Sequence, residues 1–196
     1  MNRSRRFFLA AGASALTLTL AGCFTPTPPL TYDLASAAPG AIRRRSSRVV
    51  VITAPKTVNT YNTQRVVVRE AGNILSYLPE AQWSDTMPLL VQTRLLQTFE
   101  AAQFRNVGRP DDQLSVDVTL ATEITAFEID VANGTVATIT INAKLVDEKR
   151  GMIFASKSFS ATQPATLSPT TAAISALDTA LQDVMKQILV WTAQNA

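Results

Sequence analysis

The chain of 196 residues is 46% hydrophobic and carries 18 basic and 15 acidic side chains, no histidine and one cysteine; it is long enough for one domain with a sizeable core. Three of the basic residues, Arg3, Arg5 and Arg6, stand at the N-terminus, and without them the two signs balance, so the high isoelectric point is no nucleic-acid footprint. Lacking histidine and a glycine-rich cradle, the sequence offers no ordinary general base, few transition-metal ligands and no phosphate loop, and neither catalysis, a metal nor a cofactor is expected.

Residues 1–22 read as a secretion signal. Arg3, Arg5 and Arg6 precede an apolar stretch from Phe7 to Ala21, and Leu20-Ala21-Gly22-Cys23 forms a lipobox. The apolar run is short for a spanning helix. Cleavage before Cys23 and acylation of that cysteine are therefore expected, and two or three acyl chains anchor a protein far more firmly than one. Ser4-Arg5-Arg6-Phe7-Phe8-Leu9 fits either a twin-arginine export motif or an ordinary basic n-region. Phe24, where an aspartate would signal inner-membrane retention, favours the outer membrane, with the domain on its periplasmic side.

Residues 23–47 read as the lipidated cysteine and a flexible tether, rich in proline and poor in large apolar groups. Tyr32 and Leu34 are able to form a short edge strand within it. Arg43, Arg44 and Arg45, with Arg48, form the one real charge run: a solvated linker end, or a contact with anionic lipid headgroups.

Residues 48–196 read as a single α+β domain. Val49-Val50-Val51-Ile52, closed by Pro55, predicts a buried strand, and Val66-Val67-Val68 a second. Ile74, Leu75, Tyr77 and Leu78 follow no clean period. Ser84 is a candidate helix cap with Pro88 in the first turn, and Leu89, Leu90, Leu95, Leu96 and Phe99 supply the apolar stripe, leaving Gln92 and Arg94 outside. Residues 106–112 read as a loop. Alternation from Leu114 to Val131 predicts a strand with a bulge near Ala126, and Asn133-Gly134 predicts a type I′ hairpin. Strands over 136–146 and 152–160, the latter with Ile153, Phe154 and Phe159 as its large groups, complete an antiparallel meander. Ser168-Pro169 opens a last helix whose apolar face is Ile174, Leu177, Leu181, Val184, Ile188 and Trp191. The expected architecture is a mixed or antiparallel sheet of about four to five strands with two helices packed on one face. The acidic pairs Asp111-Asp112 and Asp147-Glu148 read as solvated turns, and Glu123, Glu128 and Asp130 match no calcium loop.

Taken in order, Tyr32-Asp33-Leu34, Val49 to Pro55, Gln64-Arg65-Val66-Val67-Val68, and Leu75-Ser76-Tyr77 through Ala81-Gln82-Trp83 into Pro88-Leu89-Leu90 are similar to the auxiliary lipoproteins of ABC-type intermembrane transport systems, the PqiC-like family. The resemblance covers roughly Thr31 to Ala193. The histidine often found near the family's tryptophan is missing, so no role of that histidine carries over. The resemblance implies a non-catalytic outer-membrane component that docks a periplasmic MCE-domain protein, in a system with a permease and an ATPase that moves lipid, possible ring-forming homo-oligomers included. Cys23 is the expected anchor. Tyr77, Leu78 and Trp83 are candidate partner contacts, because aromatic groups in an irregular segment suit an interface; Trp83 could equally staple the helix start to the core. Phe127 is a further candidate, and Arg43 to Arg45 could hold the domain near the membrane. A lipid carrier with an enclosed apolar cavity, or a structural or assembly lipoprotein, are the alternatives.

Overall fold

A computed structural model of the protein describes residues 28–39, 47–132 and 134–196. Its centre is β7 (Val118–Asp130), which pairs antiparallel with β8 (Val136–Asp147), itself paired with β9 (Met152–Pro164). The expected bulge is present, as a register shift between Ile124 and Ala126. It changes the parity of the strand. Leu120 and Ile124 face the core before it, Phe127 and Ile129 after it, and all four stay buried on the face that Ile139, Ile141 and Leu145 share from β8.

The other edge of β7 is covered by three short parallel strands in succession. These are β2 (Val50–Ile52), β3 (Lys56–Thr57) and β4 (Arg65–Arg69). β2 also pairs with β6 (Val107–Gly108), inside the segment expected to be a plain loop. β4 pairs antiparallel with β5 (Leu75–Trp83), and β1 (Leu30–Tyr32) closes that edge in parallel with β5. Among the described residues the sheet therefore has nine strands and is mixed, where about four to five were expected. The extra strands are two or three residues long, or bulged, and such pieces leave no periodic signature. β5 shows why: Arg65 pairs with Gln82 but Val67 with Tyr77, and Glu80 sits at φ 57, so the apolar residues cannot alternate.

Helices α1 (Met87–Ala101) and α2 (Thr170–Asn195) pack together on one face of the sheet, α2 across β8 and β9. The apolar face of α2 is as expected, with Leu177, Leu181, Val184 and Ile188 fully buried. That of α1 is rotated. Met87, Leu90, Val91, Leu95 and Phe99 turn inward while Leu89 is exposed, and Gln92, expected outside, is buried with its Nε2 donating to the Ile52 carbonyl at 2.9 Å. A buried amide needs such a partner. The residues at the N-cap positions are Thr86 and Pro169, not the expected Ser84 and Ser168, and neither makes a side-chain capping bond. The Asn-Gly pair falls in a five-residue connection, since Asp130 pairs with Val136; Asn133 itself lies outside the described residues.

The domain begins earlier than residue 48. After β1, Leu34 and Ala37 enter the core, and the backbone crosses both helices: Ala35 N donates to Asp178 Oδ1 at 2.7 Å and Ala37 N to Thr98 Oγ1 at 3.0 Å. Asp33 fastens this strap. Burial works to raise its carboxyl, but the hydrogen bond and charge of Arg94, the Leu34 N–H and the Ser84 hydroxyl outweigh it and hold its pKa below the ordinary aspartate value.

Leu177→Ala, at a site with no exposed surface, is expected to lower stability by about 2–5 kcal/mol. Leu89→Ala, in the sequence stripe but exposed, should stay within about 0.5 kcal/mol. Urea unfolding of the two variants checks both.

Candidate functional site at the hairpin tips

β7 ends, near Asp130, among the connections β4–β5, β7–β8 and β9–α2. The β4–β5 tip turns on Gly72, whose φ of +73 favours glycine, and closes with Glu70 N donating to the Ile74 carbonyl at 2.8 Å. Ser76 Oγ then donates to Glu70 Oε1 at 2.5 Å. Beside this tip lies an open cleft of about 700 Å³, lined by Val68, Glu70, Tyr77, Pro79, Val131 and Leu167. The Arg65 guanidinium stacks on the Tyr77 ring, 3.6 Å from its centroid. Ile74, Leu75, Tyr77 and Leu167 are large apolar groups left exposed here.

Under the same end, Glu128 is buried on the sheet face opposite the helices. Its carboxylate accepts from Arg69 Nε at 2.5 Å and Nη2 at 2.9 Å, and from the Tyr61 hydroxyl at 2.7 Å. A buried carboxylate is tolerable only with such pairing. Burial first, then the hydrogen bond to Glu128, pushes the Tyr61 hydroxyl up to about 12, and the bond to Glu128 raises Arg69 further above its already high value. The trio ties residues 58–64 across the sheet. Nothing in the spacing of Tyr61, Arg69 and Glu128 announces it; only the pairing of β4 with β7 brings them together.

Of the candidate contacts among the described residues, only Tyr77 lies at the surface of this end. Leu78, Trp83 and Phe127 are core residues, and Trp83 meets Phe127 edge-on with centroids 5.9 Å apart. As packed here, these three offer no surface to a partner. Cys23, Arg43, Arg44 and Arg45 lie outside the described residues. Arg48, which follows the basic run, is held at the opposite end of the sheet, bonded to Asp147 Oδ2 at 3.3 Å and lying over the Phe154 ring at 5.1 Å. That end carries a second apolar group not read as surface: Met152, Ile153 and Phe154, which open the strand expected over 152–160, are exposed on the β8–β9 hairpin. Three consecutive apolar residues after a Gly turn were the available signal.

Residues 32–189 match the family described as ABC-type transport auxiliary lipoprotein component. The chain belongs to that family. It is 28% identical over 186 residues to a Bradyrhizobium diazoefficiens protein, covering 94% of this chain and 49% of the relative, so it spans about half the relative's length. The fold of this family member is shared with the crystal structure of a Xanthomonas campestris protein at TM-score 0.78 and 23% identity, covering 84% of this chain and 95% of that one. A second crystal structure shares it at TM-score 0.66 and 12% identity, over 85% and 99% of the two chains.

Tyr61→Phe leaves the Arg69–Glu128 pair but removes one charge-assisted bond, and is expected to cost roughly 1.5–3 kcal/mol. Because its folded pKa is raised, the Tyr61 hydroxyl contributes stability that is complete below about pH 10. That contribution is lost as pH rises through about 12. Alkaline titration of phenolate absorbance should show a step near pH 12 in the wild type and none in Tyr61→Phe.

Proposed function

We propose that the chain is the outer-membrane-anchored, non-catalytic auxiliary component of an MCE-type lipid transport system, holding the periplasmic MCE-domain protein to the membrane that Cys23 anchors. Family membership over residues 32–189 supports a place in an ABC-type transport system. The observation that carries the docking reading is the polarity of the domain. The chain from Cys23 joins the fold beside β5, towards the hairpin tips, whereas Met152, Ile153 and Phe154 are bare at the other end, among Arg48, Lys149 and Arg150. An apolar group rimmed by charge, turned away from the anchor, is where a partner arriving from the periplasm would land.

A carrier role asks for an enclosed apolar cavity between sheet and helices, and that space is filled by Phe99, Leu120, Ile141, Leu177 and their neighbours. Copies of the chain forming a ring would suit a tubular MCE partner. β9, a 13-residue strand paired only with β8 among the described residues, supplies an edge for it.

The test is chemical crosslinking in intact envelopes. Ile153→Ser with Phe154→Ser, both exposed and so compatible with folding, should reduce recovery of the MCE-domain protein at least about tenfold while leaving the chain in the outer-membrane fraction. Undiminished recovery overturns this surface. Recovery from the wild type of assembly or peptidoglycan-associated proteins alone overturns the transport reading.

A further inference from the structure

We propose that the hairpin-tip end is itself a membrane-contacting face, seated among the headgroups and upper acyl chains of the leaflet that holds the anchor. The inference rests on Cys23 being the lipidated residue and adds the orientation of the domain on the membrane.

The first argument is where the chain comes in. β1 runs parallel to β5 with Leu30 opposite Ala81, so stepping back from Leu30 moves towards Pro79 and Tyr77, that is, towards the tips. Pro28 is five residues after Cys23. Chain length alone therefore keeps the acylated residue within about 17 Å of it. No helix among the described residues is long and apolar enough to cross a membrane.

The second argument is what this end exposes. Leu30 on β1 is 64% exposed, Ile74 on the β4–β5 connection 59% and Leu167 on the β9–α2 connection 40%, and Leu75 and Tyr77, in the first residues of β5, are exposed too. Five large apolar groups from separated parts of the chain, converging where the anchor arrives, fit a lipid surface. Tyr77 has the amphipathic ring favoured at the headgroup level, and Arg65 stacked on it presents a guanidinium at the same depth. Glu70, Glu80 and Asp130 lie at this end too, so it is no basic patch. The contact is apolar, and it should be as strong on zwitterionic as on anionic lipid. Ser47 and Arg48 lie at the far end: Asn106 Nδ2 donates to the Ser47 carbonyl at 3.0 Å and Arg48 reaches Asp147. Residue 47 thus stands away from this face.

The experiment uses the full acylated chain in zwitterionic phospholipid vesicles carrying a headgroup-depth quencher. Cys23 is the sole cysteine and its sulfur is taken up by lipid, so Ile74→Cys, Leu167→Cys and, as the far-end reference, Met152→Cys each accept one fluorophore. Loss of emission at Ile74 and Leu167, with none at Met152 and no change on adding salt or anionic lipid, is expected. Full emission at all three sites on an acylated chain, or loss at Met152 as well, overturns the orientation alone. The intact mass of the same sample reads acylation separately, and a mass without acyl chains overturns the anchor reading and this face with it.

Discussion

The register along β7 is the constraint on which the other elements depend. One strand of 13 residues meets β8 along one side and, along the other, β2, β3 and β4 in turn. Because side chains alternate, a strand of this length would put Phe127 and Ile129 on the face opposite to Leu120. The shift between Ile124 and Ala126 corrects that parity, so one continuous apolar surface meets α1 and α2. The same correction turns Glu128 to the other face, where Arg69 and Tyr61 enclose it. A hydrophobic layer and a buried ion pair are consequences of one bulge.

The meander of β7, β8 and β9 and the face of α2 were legible in the sequence because each is long and obeys one period, and the bulge was visible as a break in it. The strands β3 and β6 were not, since two residues carry no period; β1 showed only as the short edge strand open to Tyr32 and Leu34, and β5 was hidden by its irregular register against β4. In α1 the stripe was right in kind but rotated, because Val91 and Gln92 are taken inward by β2, a tertiary effect that spacing does not encode.

The candidate site was less legible than the fold. Aromatic residues in an irregular stretch suit an interface or a core equally, and Trp83 and Phe127 spend their rings on each other. Tyr77 differs from them only in its place on β5, next to the tip. The exposed groups at the tips, Ile74 and Leu167, come from separate segments and gather only when the sheet is assembled, whereas Met152 to Phe154 at the other end are consecutive.

A domain with an anchor-side apolar end and a bare far end is suited to bridging a lipid surface and a protein. Site-specific photocrosslinking in living cells tests that polarity directly, with the reactive group at Ile74 in one strain and Met152 in another. The account predicts phospholipid adducts from Ile74 and an adduct with the MCE-domain protein from Met152. Protein adducts from Ile74 together with lipid adducts from Met152 would contradict it.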